Sequence, residues 1–143
     1  MIRVFIDTNI FISAYFFTGN ERTIVYSRLK NIKYFTSQQV IDEIRAVLGE
    51  KFSVDKKDID DYLSKILLIF ALINPDYNIN IMVRDEKDTN ILKSALAAKC
   101  NYLVTGDIDL LTLKKVENLK IVKSRELINE LKLNFSNNSK KTD

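Results

Sequence analysis

The sequence predicts an α/β protein, a three-layer α/β/α sandwich around a mainly parallel central sheet of about five strands. Three observations carry this expectation. Short apolar runs of strand length alternate with longer stretches in which apolar residues recur at helical spacing. One or two helical stretches separate each strand from the next, which favours parallel pairing through right-handed crossovers and so helices on both faces of the sheet. The 143 residues, 46% of them hydrophobic, suffice for one sizeable core without staples. A single domain is therefore expected over residues 1–133.

Taken in order, Arg3 to Ile6 reads as a short buried strand, and Asp7-Thr8-Asn9 then turns the chain into a helix over Ile10 to Phe17. Gly19-Asn20 breaks that helix, and Ile24, Val25 and Leu29 mark a second one over Glu21 to Lys30. Lys33 to Thr36 is the second strand. Thr36 and Gln39 form a capping-box pattern, followed by Val40, Ile41, Ile44, Val47 and Leu48 at helical spacing until Gly49. Asp55 to Ile73 is expected to be one long amphipathic helix whose early aspartates suit the positive end of its dipole. Tyr77 to Met82 alternates as a strand would, Asp88 to Lys99 has helical periodicity, and Tyr102 to Val104 is a strand. A helix over Asp107 to Val116, a strand over Lys120 to Val122 and a helix over Ser124 to Leu133 complete the pattern. Residues 134–143 are expected to form a disordered polar tail.

Composition narrows the chemistry. There is no histidine, which removes the usual general base, Ser-His and Cys-His nucleophiles, and every histidine-containing zinc site. Cys100 has no partner for an internal disulfide, and neither a leader-like N-terminus nor an apolar run of membrane-spanning length is visible. A cytoplasmic protein without a membrane association is expected. The net charge of +3 is mildly basic and only weakly suggests an anionic partner.

Four carboxylates stand out. Asp7 follows the first strand directly, and Asp107 follows the strand Tyr102 to Val104 across Thr105-Gly106. Both therefore fall at strand carboxyl ends, the edge where parallel sheets bind ligands. Glu43 lies at the margin of the apolar stripe of its helix, one turn from Val40 and Val47, and Asp88 is in line with Leu92, Ala95 and Leu96. Each acid also has a plain structural reading: Asp7, Asp88 and Asp107 as helix caps, Glu43 as a surface residue facing Arg45 or Lys51. If the four converge, repulsion in a partly desolvated pocket raises their pKa values or requires a cation, and an oxygen-only donor set selects Mg²⁺ or Mn²⁺. Such an ion supplies what phosphodiester hydrolysis needs without histidine. Asp109 extends the cluster toward a second ion.

Three segments then match a known family. Val4 to Ala14, with Asp7-Thr8-Asn9 at its centre, Arg84 to Asp88 with Ala95 to Ala98, and Tyr102 to Leu111, with Thr105-Gly106-Asp107-Ile108-Asp109, together resemble PIN-domain proteins, and most closely the branch of toxin components of toxin-antitoxin systems. The resemblance runs from Met1 to about Arg125 and implies that Asp7, Glu43, Asp88 and Asp107 are acidic catalytic and metal-binding positions. Asp109 becomes a further acidic metal position, and Asn9 and Thr105 supporting polar positions. It also implies a Mg²⁺- or Mn²⁺-dependent endoribonuclease acting on RNA, a homodimer, and inhibition by a small antitoxin protein. Arg3, Arg22, Arg28, Lys30, Lys33, Arg45, Lys51 and Arg84 are available to an RNA backbone, and Tyr15, Phe16 and Phe17 either stack bases or make core or dimer contacts.

Two other enzyme or signalling readings fit less well. An aspartyl-phosphate phosphatase using Asp7 wants a second Asp two residues on, where the chain has Asn9. A receiver-like module leaves Glu43 and the Thr105 to Asp109 run without a role. The remaining alternative is a catalytically inactive PIN scaffold that binds RNA or a protein partner.

Overall fold

The computed structural model describes residues 1–27 and 29–141, with side-chain surroundings as far as Lys132. Its strands are β1 (Ile2–Ile6), β2 (Ile32–Thr36), β3 (Ala71–Leu72), β4 (Tyr102–Val104), β5 (Lys115–Val116) and β6 (Leu119–Val122), in sheet order β3-β2-β1-β4-β6-β5. All neighbours pair in parallel except β5, which returns antiparallel to β6. The expected mainly parallel sheet is thus present, with β5 added as a hairpin edge. Val4, Phe5 and Ile6 are each 0% exposed although successive side chains point to opposite faces, so both faces of β1 are covered.

The helices are α1 (Thr8–Phe16), α2 (Asn20–Tyr26), α3 (Gln38–Ala46), α4 (Lys56–Ile69), α5 (Glu86–Ala97), α6 (Ile108–Leu111) and α7 (Ser124–Lys141). A π-helical turn, Val47–Lys51, continues α3. The expected stop at Gly49 is therefore wrong: the glycine lies inside this turn, where an added Cβ would sit 3.6 Å from Ile59 Cδ1 of α4, in ordinary contact. The cap of α3 is Ser37, whose hydroxyl accepts from Val40 N–H at 3.3 Å. Thr36, expected as the cap, instead ends β2 and donates its buried hydroxyl to Ile6 O at 3.1 Å.

The helix expected over 55–73 is cut short at Ile69. Phe70, 4% exposed, turns into the core, with its ring 5.0 Å from Phe11 and 5.4 Å from Tyr34, and the extended Ala71–Leu72 is captured by β2. An apolar anchor here overrides helical continuity, and it also removes the place for the strand expected at 77–82. That segment forms turns instead, with Asp76 Oδ1 accepting from Asn78 N–H at 3.0 Å. The expected helix over 107–116 is only α6. The chain leaves it through Lys114, at a φ of 62°, and enters the β5–β6 hairpin. The α2 helix ends at Tyr26, four residues before its expected end. The helix expected to stop at Leu133 runs on as α7 to Lys141, through most of the stretch expected as a disordered polar tail, and residues 142–143 lie outside the described residues.

Parallel register brings the strand ends together. Ile6 pairs with Val104, and Val104 with Val122. The residues that follow continue the ladder: Asp7 N–H donates to Val104 O at 3.0 Å, and Thr105 N–H donates to Val122 O at 3.1 Å. Asp7 and Thr105 thereby lie next to each other on the carboxyl edge of the sheet.

Candidate metal centre

Asp7 is the buried member of the site, 7% exposed. It caps α1, with Oδ1 accepting from Thr8 N–H at 2.8 Å, while Oδ2 accepts the buried Thr105 hydroxyl at 2.7 Å. Burial pushes its carboxyl up to about 6. The bonds from Thr105 and Thr8 oppose that shift, and the nearby charges of Glu43 and Asp107 add to it. A cap alone does not need this burial.

Asp88 is half-buried on α5, on the side that carries the fully buried Leu92 and Ala95. It does not cap the helix. The exposed Asp85 does so, accepting from Lys87 N–H at 2.9 Å. The Asp88 carboxyl is likewise pushed up to about 6, first by loss of solvent and then by the charges of Asp107, Asp85, Asp7 and Asp109. Asp107 caps α6 by accepting Asp109 N–H at 2.8 Å, and its own N–H donates to Thr105 Oγ1 at 3.0 Å.

Glu43 is half-buried on α3, as the helical-face argument expects, and the neighbouring Asp42 is the exposed acid, accepting from Gln38 Nε2 at 2.9 Å. Two groups not foreseen from the sequence hold Glu43. Thr8 donates its hydroxyl to Oε2 at 2.5 Å, and Gln39 donates Nε2 to Oε1 at 2.9 Å. Gln39 stands four residues before Glu43 on one helix, a spacing that signals such a bond. Thr8 gives no local signal, since its partner is 35 residues away.

A cleft of about 650 Å³ at this edge is lined by Asp7, Glu43, Asp88 and Asp107 together. Carboxylate oxygens of Asp88, Asp107 and Asp109 lie within 4.8 Å of one another. Asp109 faces a second recess of about 340 Å³ that shares Asp85 and Asp88 with the main cleft. The five acids are therefore arranged as two overlapping groups, with Asp88 and Asp107 common to both. Donors that are all oxygen, with the Asp7 and Asp88 carboxyls pushed up to about 6 chiefly by desolvation, suit a hard divalent cation. Asn9 is linked to the same edge through its Oδ1, which accepts Gly106 N–H at 3.0 Å.

The other residues sort clearly. Arg3 donates to Ala98 O at 2.7 Å, Arg22 to the Ala14 and Tyr15 carbonyls, and Arg45 to Asp60 at 2.7 Å, so these three serve the fold. Of the basic residues named from the sequence, Lys51 lines the cleft and Arg84 the second recess, while Arg28 lies outside the described residues. Tyr15 packs on Tyr62 at 5.1 Å, whereas Phe16 and Phe17 are exposed on the cleft wall beside Phe52.

Comparison with known proteins identifies the fold and the family. A protein of Methanocaldococcus jannaschii described as uncharacterized is 30% identical over 150 residues, covering 90% of this chain and 91% of its own length. The crystal structure of VapBC2 from Rickettsia felis, bound to a DNA fragment from their promoter, contains a chain with the same fold. It superposes with a TM-score of 0.62 at 18% identity, over 85% of this chain and 98% of that one. The PIN domain pattern itself matches residues 3–109, a stretch that holds Asp7, Glu43, Asp88, Asp107 and Asp109, and the chain belongs to the PIN domain family.

Proposed function

We propose that the chain is a divalent-metal-dependent endoribonuclease that hydrolyses RNA phosphodiester bonds. The observation that carries this reading is the convergence of Asp88, Asp107 and Asp109 carboxylates within 4.8 Å, in a chain without histidine, next to the desolvated Asp7. Such a cluster repels a phosphodiester unless a cation fills it. Asp7, Glu43, Asp88, Asp107 and Asp109 would hold Mg²⁺ or Mn²⁺. Bound there, the ion supplies Lewis-acid polarisation of a phosphate oxygen and a water acidified for attack.

The chain's own groups do the positioning. Thr105 fixes the Asp7 and Asp107 backbone-to-carboxylate network, Thr8 and Gln39 fix Glu43, and Asn9 ties the Thr105-Gly106-Asp107 turn to α1.

Cleavage of single-stranded RNA with Mn²⁺ or Mg²⁺, compared with EDTA and with Asp7→Ala and Asp88→Ala, tests the reading. Cleavage by the wild type alone, abolished by EDTA, is the expected result. Equal cleavage by all three proteins marks a contaminating nuclease and sinks it. No cleavage across a panel of RNAs favours the inactive scaffold.

The same proposal includes a role as the toxin of a toxin-antitoxin pair, a homodimer restrained by a small antitoxin in the cytoplasm. Its support is the fold shared with a VapBC2 chain, together with the lack, among the described residues, of any helix long and apolar enough to cross a membrane. Growth arrest on expression, relieved by a short adjacent gene's product, is expected. Harmless expression of the folded, metal-binding protein counts against it.

A further inference from the structure

Beyond α6 the β5–β6 side of the sheet becomes basic, with Lys120 in register with Tyr102 at the start of β4 and Lys123 just past the carboxyl end of β6. A recess of about 460 Å³ is lined by Lys114, Lys115, Lys120 and Lys123, with Glu126 and Glu130. All four lysines are exposed. The hairpin register sets Lys115 directly opposite Lys120, where like charges oppose each other and weaken the pair. Lysine on an edge strand deters unwanted strand pairing, which accounts for Lys115 on β5. It does not account for Lys120, on the interior strand β6 between β4 and β5, or for Lys123, which follows β6.

Internal neutralisation is slight. Among the described residues, the ion pair this group makes is Lys120 with Glu130 at 3.9 Å, and Glu130 also accepts the Tyr102 hydroxyl. The recess thus presents more positive charge than the chain itself consumes.

Its location links it to the acid cluster. Val122 O accepts from Thr105 N–H, so Lys123 continues the carboxyl edge one strand beyond Thr105 and Asp7. The short segment from Asp109 to Lys114 is shared between the two sites. Asp109, Thr112 and Leu113 line the acidic recess, and Leu111 and Lys114 line the basic one. The acidic and basic recesses therefore adjoin through the residues of α6 and the turn after it.

We infer that this lysine recess is a second, phosphate-binding site, which holds the backbone of the RNA strand at nucleotides beyond the one being cut. The inference rests on the nuclease reading only for the identity of the polymer. Recognition is of phosphate charge and is independent of sequence.

The test is binding of a short fluorescein-labelled oligouridylate, followed by anisotropy in EDTA over a series of salt concentrations. The combined variant Lys114→Gln, Lys120→Gln, Lys123→Gln is expected to bind at least about tenfold more weakly at low salt. Its plot of log affinity against log salt is expected to be shallower by about 2, from roughly 0.7 per phosphate contact on a single strand. A control with the same loss of charge on α4, Lys56→Gln, Lys57→Gln, Lys65→Gln, is expected to stay within about threefold of the wild type. Unchanged binding by the first variant, equal loss in both, or no salt-dependent binding by the wild type overturns the inference. Cleavage of the same RNA with Mn²⁺ separates the two proposals. A wild type that cleaves beside a lysine variant that binds normally removes this site and leaves the nuclease; one that binds through the lysines without cleaving does the reverse.

Discussion

Thr105 donates its hydroxyl to Asp7 Oδ2 at 2.7 Å across 98 residues of chain, and Thr105 Oγ1 itself accepts Asp107 N–H at 3.0 Å. One fully buried side chain thus orients one acid directly and the backbone of another. Thr105→Val keeps the shape and removes both bonds. Mn²⁺ affinity is expected to fall about 10- to 100-fold, as for other residues that orient metal ligands. Stability of the metal-free protein is expected to fall by about 1–3 kcal/mol, because Asp7 is left a buried acceptor short of a donor. Following Mn²⁺ titration by thermal denaturation checks both, and an affinity within twofold of the wild type would refute the orienting role.

Glu43 is held from two sides, by Thr8 on α1 and Gln39 on α3. Gln39→Leu is expected to lower kcat for RNA cleavage about tenfold while shifting stability by less than about 1 kcal/mol, since the bond it loses is only partly buried. Glu43→Gln is expected to lose more activity than Gln39→Leu. If Gln39→Leu leaves kcat unchanged, the clamp does not position Glu43.

The pH dependence of stability has a definite sign. Asp7 titrates near 3.9 in an unfolded chain and at about 6 in the fold. Between those values the folded protein binds more protons, so this residue's contribution falls as pH rises through the window, and its cost is fully present at neutral pH. Asp7→Asn is accordingly expected to equal the wild type near pH 4 and to exceed it by about 2 kcal/mol at pH 7.5 in EDTA. Asp88 adds a smaller term of the same sign, screened by solvent. Denaturant unfolding across pH checks this, and a difference independent of pH would contradict it. Added Mn²⁺ is expected to favour the wild type alone, by about 2.7 kcal/mol at a hundredfold excess over Kd, and more strongly at pH 7 than at pH 5.

Gly106 sits in the Thr105-Gly106-Asp107 turn, yet its φ is not positive. An added Cβ meets the Asn9 side chain at 3.5 Å, an ordinary contact. Gly106→Ala is therefore expected to fold normally, with a stability change under about 1 kcal/mol. Loss of folding would show that the turn needs a freedom that this geometry does not use.

Much of this arrangement was legible in the sequence where one local pattern decided the outcome. The strand Arg3 to Ile6 with Asp7 behind it, Tyr102 to Val104 with Thr105 behind it, and the inward leaning of Glu43 all follow from burial periodicity. The failures occur where distant contacts overrule local pattern. Phe70 is drawn to Phe11 and Tyr34, and this ends α4 early and creates β3, which no window around residue 70 reveals. Likewise Thr8 and Glu43 meet only because α1 and α3 pack beside each other. The cap reading of Asp88 fails because capping depends on which acid starts the helix, and three acids within four residues compete for a place that Asp85 takes.

The position of β1 has a consequence for how the protein is made. This strand leaves the ribosome before the other strands of its sheet, yet it ends in the middle of the sheet, and its partner β4 emerges only after β2, β3 and α5 have followed. A nascent or truncated chain that stops before β4 carries Asp7 but has neither the Thr105 hydroxyl nor Asp107 to complete the cluster. Any activity at this centre is therefore withheld from the unfinished polypeptide, by topology alone and without an inhibitor.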